Sequence, residues 1–253
     1  MSLVEPTQST VDVVVVRDYH ELRARAARVI LETVRRRPDA RISFTTGHTA
    51  SGVYQLLRDL YRSDQIDLTR SWVISSEEYA GVGIAHPISL FAWLQRELLA
   101  PCDVPESAVV RLAGDAAHLT AECARFDARI EELGGLDLVV QSVGANGHFG
   151  FNEPGSDRDA ATRIARLAPS TRQSNREYWR EGAAVPKFGL TMGVRVTLRA
   201  RHVLLLASGR KKAQALARAL DGPISQDSPC SLLRLAPRLT VVADEDAAQE
   251  TLS

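Results

Sequence analysis

The chain of 253 residues holds only three cysteines, Cys102, Cys123 and Cys230, widely spaced and without a CxxC pair. An odd count at such spacing argues against a disulfide framework and for a reducing, cytoplasmic setting. Neither sign of charge is in excess, since 31 basic residues face 31 acidic ones. That balance argues against a nucleic-acid or membrane-surface binder. No apolar run approaches the roughly eighteen residues that cross a bilayer, so no membrane partner is expected. The opening residues MSLVEPTQST lack the regions of a secretory signal. The six histidines show no HxH or HExxH spacing, and neither a Walker-type GxxxxGKS/T nor a GxGxxG element occurs. What remains is a soluble protein with no expected metal, acting on a small molecule.

What is present is an alternation of strand and helix. VDVVVV (11–16) is a continuous β-branched run, the pattern of a strand buried on both faces. A helix is predicted over 19–37 and ends before Pro38. RISFTT (41–46) is a second strand, after which Thr49 opens a helix. SWVIS (71–75) is a third, and Pro87 stands in the first turn of a helix running to about Leu99. VVRL (109–112), a helix over 117–133 and LDLVVQSV (136–143) follow. Then come a glycine-rich stretch, a helix around 170–180 and strands at FGLTM (188–192) and HVLLLAS (202–208). A helix over 210–220 and the strand LTVVAD (239–244) complete the series. This predicts one α/β domain over 1–253, a mostly parallel sheet with helices on both faces.

Such sheets bind ligands beyond the carboxyl ends of their strands, so the residues just after each strand are the candidates. Thr46-Gly47-His48-Thr49 forms a small-residue turn leading into a helix, suited to a phosphate or to an ordinary cap. Glu77 and Glu78 follow the third strand. A buried carboxylate there could abstract a proton from carbon, or the pair could be a solvated acidic turn or an N-cap for the next helix; Glu78 reads as one of the latter or as a support. GANGHFGFNEP (144–154) packs Asn146, His148, Asn152 and Glu153 among three glycines. Glycine-rich backbone at a strand end marks close ligand approach, and Glu153 could orient the His148 imidazole. Arg176 and Lys212 are candidate cations for an anionic ligand, Arg176 reading equally as part of an exposed basic helix face.

In this order the segments resemble the glucosamine-6-phosphate deaminase branch of the glucosamine-6-phosphate isomerase/6-phosphogluconolactonase family. The resemblance rests on GxNGHxGFNEP, TTGHT, EEY followed by HP, VPK (185–187) and GRKKA (209–213), and spans roughly residues 12–244. It implies a Rossmann-like fold, no cofactor, a sugar-phosphate substrate, and reversible conversion of glucosamine 6-phosphate and water into fructose 6-phosphate and ammonia. It also implies roles. His148 assists ring opening, oriented by Glu153 and Asn146, and Glu77 takes the C2 proton. Thr46, Gly47, His48, Thr49 and Lys212 hold the phosphate, joined by Arg176 if one residue is deleted between Arg172 and Arg176. Three positions depart from the family pattern: Glu77 stands for Asp, His48 for Gly, and Ser75-Ser76 for Asn and an apolar residue. A sugar-phosphate lactonase, or a drifted relative acting on or sensing another hexose phosphate, is the alternative. A homo-oligomer is left open.

Overall fold

Runs of β-branched and aliphatic residues form two sheets in the computed structural model, which describes residues 9–176 and 184–251. The strands are β1 (Thr10–Val16), β2 (Arg41–Phe44), β3 (Trp72–Ser75), β4 (Glu77–Tyr79) and β5 (Val109–Arg111). They continue as β6 (Leu138–Ser142), β7 (Arg163–Arg166), β8 (Phe188–Thr191), β9 (Val203–Ala207) and β10 (Arg238–Asp244). Helices α1 (Tyr19–Arg36), α2 (His48–Arg62), α3 (Leu90–Leu94), α4 (Leu119–Glu132) and α5 (Pro169–Arg176) lie between them. The later helices are α6 (Val194–Leu198), α7 (Ala213–Leu220), α8 (Pro229–Leu232) and α9 (Glu245–Ala248). None is long and apolar enough to cross a membrane.

The larger sheet runs β1-β10-β9-β6-β2-β3-β5 with every pairing parallel. Successive strand residues alternate between two cores. Ile42, Phe44, Val73, Leu138, Val140 and Leu204 pack with Leu22 and Ile30 of α1 and Tyr54 and Leu57 of α2. Ile74, Val139, Val203, Leu205 and Val241 face the other way, onto Phe126 and Ile130 of α4 and Leu216 of α7. Each such side chain contributes about 1.5–3 kcal/mol on full burial, so both faces must be covered. The predicted α/β class and the mostly parallel sheet are both present.

Three expectations need correction. VDVVVV does not form a strand buried on both faces: β1 is an edge, paired only with β10, and leaves Val11 and Val13 40% and 46% exposed. An apolar run reports strand character, not position in the sheet. The helix expected from Pro87 begins at Leu90, because Ser89 is its N-cap and accepts the Ala92 amide. FGLTM does not join the parallel sheet. It is β8, the centre of a second, antiparallel sheet of order β4-β8-β7. Of the helix expected near 170–180, Pro169–Arg176 is helical and the remainder lies outside the described residues.

Strands β2 and β6 are neighbours, and the chain builds outward from them in opposite directions, to β3 and β5 on one side and β9 and β10 on the other. Their carboxyl ends therefore mark the topological switch point where doubly wound sheets hold ligands.

Candidate active site

The cleft at this point is lined by Thr45, Thr46, Glu77, Gly144, His148 and Lys212, with Ser174 and Asn175 of α5 among the residues completing it. A wider cleft of about 800 Å³ lies at the opposite rim, between the ends of α1 and α2. Its lining includes no histidine and no buried carboxylate, so the groups able to move protons point to the narrower one.

Glu77 reaches the cleft because a single residue separates the start of β4 from the end of β3. Pairing of Glu77 with Thr191 across the second sheet turns its side chain inward. It is only 3% exposed. Its Oε1 accepts from Thr45 Oγ1 at 3.1 Å, from the Thr46 amide at 3.1 Å and from Thr46 Oγ1 at 3.3 Å, and Ser76 Oγ donates to Oε2. Burial pushes its carboxyl above the ordinary glutamate range, against these hydrogen bonds, which favour the ionised form. Glu78 points the other way, as alternation in a strand requires. It accepts from the Tyr79, Leu90 and Phe91 amides and the Ser89 hydroxyl. It supports α3, as its position suggested, and does not face the cleft.

The loop after β6 carries the second group. A Cβ at Gly144 would overlap the His148 imidazole, so only glycine lets the ring fold back over this turn. His148 Nδ1 lies 2.6 Å from Asn146 Oδ1, while Asn146 Nδ2 donates to Glu153 Oε2 at 2.8 Å. These contacts fix the tautomer. The amide must give its NH2 to the carboxylate and present its oxygen to the ring, so Nδ1 carries the hydrogen and Nε2 keeps a lone pair. Glu153 therefore acts on His148 chiefly through Asn146, its own carboxylate being 3.7 Å from Nδ1. Burial holds the imidazole down at about 4, with Glu153 pulling it up and Lys212 pushing it down. At neutral pH His148 is uncharged and can take a proton.

Of the residues expected at the phosphate, Thr46 has its amide and hydroxyl directed to Glu77. Gly47, with φ 129°, caps α2, whose first residues are His48 and Thr49. The Tyr19 hydroxyl lies within hydrogen-bonding distance of the His48 and Thr49 carbonyls, each at 3.1 Å, and accepts the Gly52 amide, bracing the turn from below. Lys212 is brought to the cleft by the turn after β9. The Asp244 carboxylate receives the Gly209 amide and the Ser208 hydroxyl there. Arg176 is exposed at the last described turn of α5 and is not among the lining residues.

Four contributors were given no site role by the sequence, although Thr45 lies in TTGHT and Ser76 is one of the departures from the family pattern. Thr45 and Ser76 anchor Glu77, and Ser174 and Asn175 reach the cleft from α5. Asn152, flagged in the motif, is structural. Its amide donates to the Met192 carbonyl at 3.0 Å and its oxygen accepts from Arg163 at 2.8 Å.

The sequence pattern of the glucosamine-6-phosphate isomerases/6-phosphogluconolactonase family matches residues 18–242. A glucosamine-6-phosphate deaminase of Bacillus velezensis is 38% identical over 237 residues, covering 94% of this chain and 98% of its own length. One from Geobacillus sp. is 36% identical over 230 residues, covering 91% and 92%. The solved structure of a monomeric glucosamine-6-phosphate deaminase superposes with a TM-score of 0.91 at 35% identity, covering 94% of this chain and 99% of that one. A 6-phosphogluconolactonase from Trypanosoma cruzi, at 19% identity and a TM-score of 0.75, shares the fold.

Proposed function

This chain belongs to the glucosamine-6-phosphate isomerase/6-phosphogluconolactonase family, and we propose that it converts glucosamine 6-phosphate and water into fructose 6-phosphate and ammonia. The observation that carries this reading is a buried carboxylate, Glu77, in one cleft with a neutral imidazole, His148, whose Nε2 keeps its lone pair. Two proton-handling groups with different environments suit an aldose–ketose sequence.

In the proposed mechanism His148 Nε2 takes the proton of the anomeric hydroxyl and delivers it to the ring oxygen, opening the sugar. Glu77 then removes the C2 hydrogen, and the electron pair forms a C1–C2 enolamine. The C1 oxygen takes up a proton, Glu77 returns the abstracted hydrogen to C1, and the nitrogen gives up a proton, leaving a C2 imine. Water adds to that carbon, ammonia leaves, and fructose 6-phosphate remains. The proposed phosphate site is the first turn of α2, at the positive end of a fifteen-residue helix, together with Lys212; of these only Lys212 lines the cleft, and Gly47, His48 and Thr49 stand beside Thr46, which does. The cleft measures about 70 Å³, well below the roughly 300–1,000 Å³ of small-molecule pockets.

The test is ammonia release from glucosamine 6-phosphate by the purified protein and its loss in Glu77→Gln. That substitution removes a buried carboxylate and is expected to leave the fold intact. Hydrolysis of 6-phosphogluconolactone with no ammonia from the amino sugar would overturn the reading in favour of lactonase chemistry, which needs no carbon-acid base.

A further inference from the structure

Glutamate places its carboxylate one methylene and one torsion further from the backbone than aspartate. A catalytic base needs one orientation, because a displacement near 1 Å can cost about a hundredfold in rate. The two Glu77 oxygens are restrained from different sides. Oε1 is held by Thr45 and Thr46 from the turn after β2. Oε2 is held by the hydroxyl of Ser76, and it lies 3.4 Å from the site a Cβ would occupy on Gly150. Ser76 is itself immobilised: it is 1% exposed, sits between β3 and β4, and its carbonyl accepts the Met192 amide at 2.7 Å. An apolar residue at 76 would leave Oε2 buried without the Ser76 donor.

We propose that Ser76 is a positioning residue for the proton-abstracting step, its hydroxyl fixing the carboxylate of Glu77 in the one orientation that faces the substrate carbon. The inference rests on the function proposed above and joins two local features, the longer acid and the serine before it, into one device. Burial drives the Glu77 carboxyl toward its protonated form, and the Ser76 hydroxyl is the leading contact opposing it, ahead of the Thr46 amide. Other titratable groups face this carboxylate from neighbouring elements: Tyr54 of α2, whose phenol is raised by burial and then by the Glu77 charge, with His148 and Lys212 lining the same cleft. Substitution at 76 alters none of them directly.

The test is a double-mutant cycle with a substrate-free titration beside it. Ser76→Ala is expected to lower kcat for ammonia release about tenfold to a hundredfold, with KM little changed, and Ser76→Thr to recover most of the loss. In a Glu77→Asp background, where the shorter acid does not reach the serine in the same way, Ser76→Ala is expected to have little effect. In ligand-free protein labelled with carboxyl-13C glutamate, the resonance missing from Glu77→Gln titrates at higher pH in Ser76→Ala and returns in Ser76→Thr. Additive effects on kcat together with an unmoved titration overturn the proposal. Because the titration needs no substrate, it judges Ser76 even if the wild-type protein releases no ammonia, an outcome that overturns the functional reading alone.

Discussion

His148 can accept a proton only while Nε2 keeps its lone pair, and the Asn146 amide, oriented by Glu153, secures this. Burial lowers the imidazole to about 4 and Glu153 partly opposes that shift. Removing the anion in Glu153→Gln therefore moves the imidazole lower still and weakens it as a base. The midpoint of the His148 ring resonances should fall, and kcat for ammonia release should drop about tenfold. A rise in that midpoint would contradict the relay. As the proposed base, Glu77 and not His148 is expected to set the acid limb of activity. Its carboxyl is raised by burial and must be ionised to act, so rate is lost as pH falls through a value above the ordinary glutamate range.

At the scale of elements, the second sheet aims both acids, Glu77 into the cleft and Glu78 onto α3. Glu78 accepts three amides and one hydroxyl, and those donors lose their acceptor in Glu78→Ala. Unfolding in urea should show a loss of about 2 kcal/mol, and hydrogen exchange at Leu90 and Phe91 should quicken before the parallel sheet opens. The same elements show what the sequence displays and what it hides. GANGHFGFNEP was legible as a site because a glycine-rich stretch bearing His, Asn and Glu follows an apolar strand. The β7 strand, RIAR, mixes charged and apolar residues and becomes a strand only by pairing with β8, so no local period reveals it. The start of α3 was misplaced for a similar reason. Its cap, Ser89, is assisted by a carboxylate from a different strand. Ser76 stood out only as a departure from a pattern, since its relation to Glu77 depends on how β3 passes into β4.

Across the whole molecule, the candidate site occupies the carboxyl rim of the sheet and a charged clamp lies at the opposite rim. Arg41, at the start of β2, meets Asp137, just before β6, at 2.8 Å and 2.9 Å, and Asp137 also accepts the Arg41 amide. Both are under a tenth exposed. Burial works to raise the Asp137 carboxyl, but Arg41, aided by Arg37, holds it below the usual aspartate range. A depressed carboxylate adds stability above its unfolded pKa and loses it as pH falls through the folded one. Asp137→Asn should therefore cost about 3 kcal/mol at neutral pH, by stranding the buried guanidinium, and the difference from wild type should shrink in acid. The clamp ties the amino ends of β2 and β6, two strands that pair directly and whose carboxyl ends carry the Thr45 and Thr46 anchor of Glu77 and the His148 loop. The proposed reaction depends on Glu77 breaking the C2–H bond in the cleft at the far ends of those strands. The most direct measurement follows glucosamine 6-phosphate deuterated at C2 by NMR with the wild-type and Glu77→Gln proteins. The wild-type protein is predicted to move the label from C2 to C1 or to solvent as ammonia appears, and Glu77→Gln to do so about a thousandfold more slowly. Clearance of the C2 label by Glu77→Gln at the wild-type rate would contradict it.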